Sequence, residues 1–281
     1  MDKELENNLK IVQSCCLNIV SQIDDICRNN GIEYSLCAGS IIGQYLYQGF
    51  IPWDDDIDLA MTRENYNKFI KVAKTQLKAP LRLITCDLSS DTNVLFSKVI
   101  DESTTMVERA IDGSLKIGGI FVDITVFDKI PRNRMIRFYD IAVMKLMHIS
   151  IVGRVEGRNP IRNALAKLLK NQKQRLYDYL QRLLERNSKY TEYDYAELFF
   201  GLTIPYNKEI FEEYTVVPFE SQQFHMVKDF MAYLETRYGR REFYRDDKNE
   251  KPPHLVYVNS EVPYTSFDPT IIENPTDKTN Y

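Results

Sequence analysis

Carboxylates are concentrated between Asp54 and Asp58, where four of five residues are aspartate. Carboxylates this close repel one another, and a folded protein normally offsets the repulsion with a bound cation. Residues two apart in a β-strand lie on one face, so we expect Asp56 and Asp58 to share a face while Ile57 and Leu59 enter the core. Two carboxylates on one rigid face suit Mg²⁺, which takes a few carboxylates together with substrate phosphate oxygens.

Other interpretations of this acidic segment fit less well. An acidic surface loop is not expected next to Trp53 and ahead of a strand with buried positions. A calcium-binding EF-hand loop that began at Asp54 would need Gly and Glu at its sixth and twelfth positions, where this chain has Leu59 and Asn65. A glycosidase needs two carboxyls on opposite sides of a sugar, which neighbours on one strand face do not provide.

A second chemical signal precedes the acidic segment. Gly39 and Ser40 lie at a predicted strand-to-helix turn upstream of Asp56. Backbone N–H groups at the start of a helix bind phosphate, and glycine lets the chain approach it closely. A phosphate-binding turn beside a metal platform predicts phosphoryl or nucleotidyl transfer.

The elements that must position these residues follow from hydrophobic periodicity. Apolar residues alternate at steps of four and three from Leu5 to Ile26, which predicts a helix packed on the domain, with a coiled-coil dimer as the alternative. Strands are expected at 32–37, 56–61, 81–85, 94–100, 104–109 and 120–127. Helices are expected at 41–47, 62–77, 133–152, 161–187 and 222–238. Five prolines after Asp246 predict a loosely packed tail.

Composition narrows the class of protein. The chain has 281 residues, 44% of them hydrophobic, and a net charge of −4, which excludes a fully basic nucleic-acid binder and an acidic disordered chain. Its five cysteines form no C-x-x-C pair, so we expect neither disulfides nor a zinc site. The N-terminus does not resemble a signal peptide, and the most apolar stretch, 141–152, is too short to span a membrane. These features predict a cytoplasmic location.

Positive charge collects in one segment. Residues 129–189 contain 15 Lys or Arg and 4 Asp or Glu, a net charge of +11. These basic residues either lie on solvent-exposed helix faces or form a basic surface that contacts anionic lipid head groups at the inner face of the plasma membrane. The run from Arg132 to Arg154 resembles an interfacial helix, and no nucleic-acid-binding motif accompanies the charge.

The combined motifs resemble known families. The Gly-Ser turn, the Asp-x-Asp strand and a later aspartate on another strand are similar to the DNA polymerase beta-type nucleotidyltransferase superfamily, and the later aspartate would be Asp123. More closely, AGSIIG at 38–43 and GFIPWDDDIDLAM at 49–61 resemble the LicD family of phosphocholine transferases. The match continues at 96–101, 104–105 and 121–131, and it recurs weakly at 217–220, 233–234, 238–239 and His254. Leu46 occupies a position where the family commonly has Arg.

The resemblance implies an α+β fold, in which a nucleotidyltransferase-like mixed sheet carries packed helices and an additional helical segment. The expected organisation is a catalytic core at 1–131, a basic helical segment at 132–245 that completes the substrate site, and a polar tail at 246–281. The implied activity is Mg²⁺-dependent transfer of phosphocholine, or a similar phospho-alcohol, from a CDP-alcohol donor. CDP-choline is the typical donor, and CMP leaves.

The implied acceptor is a hydroxyl of a cell-surface glycan, such as a teichoic acid, lipopolysaccharide or capsule precursor, which can be lipid-linked. Two alternatives remain. One is a true nucleotidyltransferase that moves a nucleoside monophosphate from a triphosphate. The other is a non-catalytic membrane-docking protein on an inactive transferase fold.

The resemblance also assigns roles to residues. Asp56, Asp58 and Asp123 would hold Mg²⁺, and Asp123 could instead accept the proton of the acceptor hydroxyl. Gly39, Ser40 and Lys98 would contact the donor phosphates. Trp53 either forms a wall against the choline cation or packs the acidic loop in place. The roles of Asp54, Asp55 and His254 stay open.

Overall fold

The computed structural model describes residues 3–85, 97–109, 114–152, 160–197, 204–239 and 255–272. Its first elements are α1 (Lys3–Asn29), β1 (Ser35–Leu36), α2 (Ala38–Tyr47), β2 (Asp58–Thr62) and α3 (Arg63–Gln76). The apolar face of α1 is buried in the main core, which confirms the predicted packing on the domain. Thr62 caps α3, because its hydroxyl accepts a hydrogen bond from the Asn65 N–H.

The remaining elements of the described residues are five strands, then three helices, three strands, one helix and a last strand. They are β3 (Leu81–Ile84), β4 (Ser97–Asp101), β5 (Thr105–Arg109), β6 (Leu115–Gly118), β7 (Phe121–Pro131), α4 (Arg134–Val152), α5 (Pro160–Leu169), α6 (Lys173–Asn187), β8 (Tyr193–Ala196), β9 (Tyr214–Phe219), β10 (Gln222–Val227), α7 (Phe230–Tyr238) and β11 (Leu255–Asn259).

A mixed sheet with the strand order β1-β2-β7-β4-β3 organises the molecule. β2 runs parallel to β7, whereas β1 and β4 run antiparallel to their neighbours β2 and β7. The strand β8 pairs with the second half of β7, from Asp128 to Pro131. Helices pack on this sheet, and two smaller sheets, β9-β10 and β11-β5-β6, flank it. The predicted α+β fold with a mixed sheet is therefore confirmed.

A second, smaller core lies under the helical segment. Side chains of α4 and α6 pack with Ile130 and Ala196 from the far end of the sheet. Asp140 is fully buried there, and it accepts hydrogen bonds from Arg186 and Asn187, which satisfy its charge.

Across the described ranges, no helix combines the length and apolarity needed to cross a bilayer. The predicted division at 131 and 245 stays a prediction.

Two expectations about the second half were wrong. Residues 222–238 do not form one helix, because 222–227 is the second strand of a hairpin with β9, and only 230–238 is helical. Phe224 and Met226 are buried on one face of that strand, a period of two that the helical interpretation overlooked. The tail is not loose at 255–259, since β11 pairs with β5. The strands β6, β8 and β9 were not predicted either.

Candidate active site

Three neighbouring strands carry one charged residue each at the same level of the sheet. The register pairs Asp58 of β2 with Asp123 of β7, and Asp123 with Lys98 of β4. The Lys98 Nζ lies 3.5 Å from the Asp123 Oδ1 and 3.3 Å from the centre of the Phe121 ring. The strand pairing therefore brings Asp58, Asp123 and Lys98 into one row, which we call the charged row.

Alternation of apolar and acidic residues explains which way these carboxylates point. Asp58 and Asp123 each stand between two apolar residues that are fully buried on the other face of the sheet: Ile57, Leu59, Val122 and Ile124. Asp58 and Asp123 themselves are only partly buried. The strand begins at Asp58 rather than at Asp56 as predicted, so Asp56 belongs to the preceding loop.

The acidic loop comprises Asp54, Asp55 and Asp56, which offer carboxylate oxygens within 4.8 Å of one another. Asp55 is buried and accepts a hydrogen bond of 3.1 Å from the Leu255 N–H at the start of β11. The Asp54 carbonyl accepts one of 2.9 Å from the Gln13 side chain on α1. Helix α1 and a strand some 200 residues further along the chain thus hold the loop in place.

Mutual repulsion and burial shift the protonation of these groups. Burial raises the pKa of Asp123 to about 7, while Lys98 lowers it and Asp56 raises it further. Burial, followed by the charges of Asp56 and Asp55, raises the pKa of Asp54 to about 8. Burial and the charges of Asp56 and Asp123 raise the pKa of Asp58 well above its ordinary value. A bound cation that replaces the proton stabilises the charged form of such carboxylates most strongly.

The donor set fits a divalent cation that prefers oxygen ligands. The Asp123 Oδ1 is buried, and apart from the Lys98 ammonium at 3.5 Å it has no polar partner among the described residues. A buried carboxylate oxygen in that position can coordinate a metal ion. The assignment of Asp56, Asp58 and Asp123 as Mg²⁺ ligands stays a prediction, and Asp54 and Asp55 lie in the same cluster.

The Gly39–Ser40 turn lies directly against the acidic residues, but it is less open than predicted. The Ser40 N–H donates to the Cys37 carbonyl, and the Ser40 hydroxyl accepts the Asp58 N–H at 2.9 Å. Ser40 therefore ties the turn to the charged row, and its own hydroxyl proton is left to donate. The N–H of Gly39 lies in the first turn of α2, where it has no acceptor within the helix. A Cβ at Gly39 would lie 3.0 Å from the Asp54 Oδ2.

The hairpin of β9 and β10 clamps the segment that leads into the acidic loop. Glu220, in the hairpin turn, accepts the Phe50 N–H at 3.1 Å and donates its own N–H to the Gln48 carbonyl at 2.7 Å. A Cβ on Gly49 would collide with the Glu220 carboxylate. The close approach of the Glu220 side chain therefore favours glycine at this position. Trp53 lies three residues beyond this clamp and is partly exposed.

Arg237, on α7, was missed by the sequence analysis. Its Nη1 pairs with the Glu197 Oε1, and the same oxygen accepts the Tyr206 hydroxyl proton at 2.8 Å. Tyr233, one turn earlier on α7, accepts the Ala38 N–H at 3.2 Å, so α7 docks against the start of the Gly39–Ser40 turn. The available signal was the weak motif match at 233–234 and 238–239, which flanks Arg237 without including it. His254 lies outside the described residues.

Leu46, where the family commonly has Arg, lies near the end of α2 and is partly buried. Its apolar side chain can make no ion pair with a phosphate. Any arginine contact to a phosphate in this chain must therefore come from another element.

The comparisons with known proteins agree with this geometry. Residues 31–141 match the family model described as LicD/FKTN/FKRP, nucleotidyltransferase domain. Over 265 residues, the chain is 27% identical to the lipopolysaccharide cholinephosphotransferase LicD of Haemophilus influenzae, an alignment that covers 88% of this chain and 96% of the relative. The matched segment contains the turn, the acidic loop and the charged row. The resemblance to the LicD family seen in the sequence is confirmed: residues 31–141 match the nucleotidyltransferase domain of that family.

Proposed function

We propose that the chain transfers phosphocholine from CDP-choline to a hydroxyl group of a cell-surface glycan and releases CMP. The observation that carries the proposal is the charged row of Asp58, Asp123 and Lys98, with Asp56 ahead of it and the Gly39 turn beside it. The similarity to a lipopolysaccharide cholinephosphotransferase supports the transferred group and the class of acceptor.

The residues of the site suggest how the transfer proceeds. Asp56, Asp58 and Asp123 would hold Mg²⁺, whose charge would neutralise the donor diphosphate. The Gly39 N–H and the Lys98 ammonium would orient the phosphates. The glycan hydroxyl oxygen attacks the phosphorus of the phosphocholine group, and the bond from that phosphorus to the phosphate oxygen of CMP breaks.

The hydroxyl proton passes to a carboxylate as the new bond forms. In one arrangement Asp123 is the third metal ligand. In the other Asp123 is the general base, because a pKa of about 7 suits proton transfer near neutral pH. Trp53, partly exposed beside the acidic loop, would contact the trimethylammonium group of choline in the donor.

Release of CMP from CDP-choline, with and without Mg²⁺, tests this proposal. CDP-ribitol, CDP-glycerol and the four nucleoside triphosphates serve as alternative donors, since slow hydrolysis reports the donor without the acceptor. We expect Mg²⁺-dependent CMP release from CDP-choline, and its loss in Asp58→Asn. Asp25→Asn, an exposed aspartate on α1, is the matched control. Pyrophosphate release from a triphosphate would instead identify a nucleotidyltransferase, and an active, folded Asp58→Asn would refute the assigned chemistry.

The proposed location is the cytoplasmic face of the membrane, where a lipid-linked glycan would be available. At the start of α4, Met135 and Phe138 are 84% and 75% exposed next to Arg134, within the segment of net charge +11. An apolar and basic face of this kind binds anionic lipid surfaces, at about 1 kcal/mol per basic residue. Flotation with vesicles tests this: we expect binding to anionic vesicles that weakens with salt. Equal binding to neutral vesicles would contradict it.

A further inference from the structure

A buried arginine–carboxylate pair lies beside the acidic centre. The side chain of Arg237 is 17% exposed and that of its partner Glu197 only 1%. Glu197 accepts hydrogen bonds from Arg237 and Tyr206 through Oε1, whereas its buried Oε2 has no hydrogen-bond partner in the described part of the chain. Burying such a pair is costly, and among the described residues one oxygen of this carboxylate is left without a hydrogen bond.

The backbone places this pair against the phosphate-binding turn. Tyr233 and Arg237 are four residues apart and therefore lie on one face of α7. The Tyr233 hydroxyl contacts the N–H of Ala38. In turn, the Cys37 N–H donates to the Asp58 carbonyl at 3.0 Å. The face of α7 that carries Arg237 thus covers the junction between the turn and the charged row.

The guanidinium of Arg237 has N–H groups that its hydrogen bonds to the described residues do not use. A guanidinium carries five N–H donors in a planar fork. The Nη1 of Arg237 donates to Glu197, and its Nε donates to the Tyr238 hydroxyl at 3.2 Å. These two bonds fix the plane of the guanidinium and leave further N–H groups for an anion. A planar fork of this kind can bind two phosphate oxygens at once, whereas a lysine ammonium binds phosphate as a single point charge.

We propose that Arg237 binds the diphosphate of the nucleotide donor and that Glu197 positions its guanidinium. This inference rests on the proposed function, because it assumes a donor with a diphosphate bridge. Arg237 would then contribute to donor affinity from outside the segment 31–141 that matches the family model.

The chain contains a matched control pair near the other end of β2 and β7, two of the strands that carry the charged row. Arg63 forms a bidentate pair with Asp128, with side-chain exposures of 23% and 1%. Asp128 lies five residues beyond Asp123 on β7, which corresponds to about 16 Å along a strand. Substitution of Arg63 should therefore disturb a similar buried pair without touching the proposed phosphate site.

The test compares Arg237→Lys and Arg63→Lys by thermal unfolding, by calorimetric binding of CDP-choline with Mg²⁺, and by KM and kcat for CMP release. A charge-assisted hydrogen bond to phosphate is worth about tenfold to a hundredfold in affinity. We expect Arg237→Lys to raise the dissociation constant and KM of CDP-choline by about that factor. Arg63→Lys should leave both within about twofold, with a comparable loss of melting temperature.

A second variant guards against misfolding. Arg237→Met alone would leave Glu197 as an uncompensated buried charge, so it is combined with Glu197→Gln, which keeps an oxygen acceptor for Tyr206. The double variant should fold and show the same loss of CDP-choline affinity. If wild type binds CDP-choline and both Arg237 variants bind it equally well, the role of Arg237 is refuted while the proposed function stands. If wild type binds no CDP-choline, the proposed function fails and this inference fails with it.

Discussion

Replacement of Gly49 by alanine tests whether the hairpin clamp holds the acidic loop in its active arrangement. A Cβ at this position would occupy the space of the Glu220 carboxylate, while the backbone of Gly49 has no positive φ that would itself disfavour alanine. The Glu220 side chain must therefore swing away, and the Phe50 N–H loses its acceptor at 3.1 Å. We expect Gly49→Ala to destabilise the protein and to lower the rate of CMP release.

The magnitude follows from what is lost. A buried N–H left without its acceptor costs about 1–3 kcal/mol. Phe50 is buried, but Glu220 is exposed, so water can partly replace the carboxylate and the cost should lie near 1 kcal/mol. Glu220→Ala should cost about the same, because it removes the same hydrogen bond.

The decisive measurement is a double-mutant cycle by urea denaturation. Once Glu220 is alanine, the collision at residue 49 is absent, and a glycine-to-alanine change at a compatible backbone stabilises by about 0.4–1 kcal/mol through the unfolded state. Gly49→Ala should therefore be neutral or stabilising in the Glu220→Ala background, with coupling of about 1–2 kcal/mol. An equal cost of Gly49→Ala in both backgrounds would refute the clamp.

Three further predictions concern the same site. Gly43→Ala should cost about 1–3 kcal/mol in urea denaturation, because its Cβ would lie 2.5 Å from the Gly49 carbonyl oxygen, and backbone cannot move aside as a side chain can; an unchanged midpoint would contradict the close packing. Ser40→Ala should lower stability by about 1–3 kcal/mol and impair CMP release, since the Asp58 N–H loses its acceptor, whereas Ser40→Thr should retain part of both. The pKa values of Asp54 and Asp123 are raised from 3.8 to about 8 and about 7, so folding takes up protons. The metal-free protein should therefore lose stability from about pH 4 to pH 8, and Mg²⁺ should raise the melting temperature more at pH 8 than at pH 6. An equal Mg²⁺ effect at both pH values would count against metal binding by these carboxylates.

Short-range patterns predicted which face of its strand each aspartate of the charged row occupies. Alternation along 56–61 and 120–127 identified two strands whose apolar residues face the core, and it left Asp58 and Asp123 on the opposite face. The pairing of these strands needed the resemblance to a known family, because alternation states which face a residue occupies but not which strand lies beside it.

Contacts between distant segments were not predictable from these patterns. The Leu255 N–H that holds Asp55 and the Glu220 carboxylate that holds Phe50 belong to segments with no periodic signal of their own at the contact. Arg237 lies on a short helix where an arginine is ordinarily a solvated residue. Only the fold brings its partner Glu197, forty residues away, beside it.

In these distant contacts, segments late in the chain hold segments near its beginning. In each case a late segment restrains an early one: β11 holds the acidic loop through Asp55, the hairpin holds the approach to that loop through Phe50, and α7 holds the turn through Ala38. Carboxylates that repel one another need an external frame, since their own interactions favour separation. The later segments therefore restrain the acidic loop and the residues around it. A fragment that ends at residue 131 would keep the strands of the charged row and lose these restraints on the residues around it.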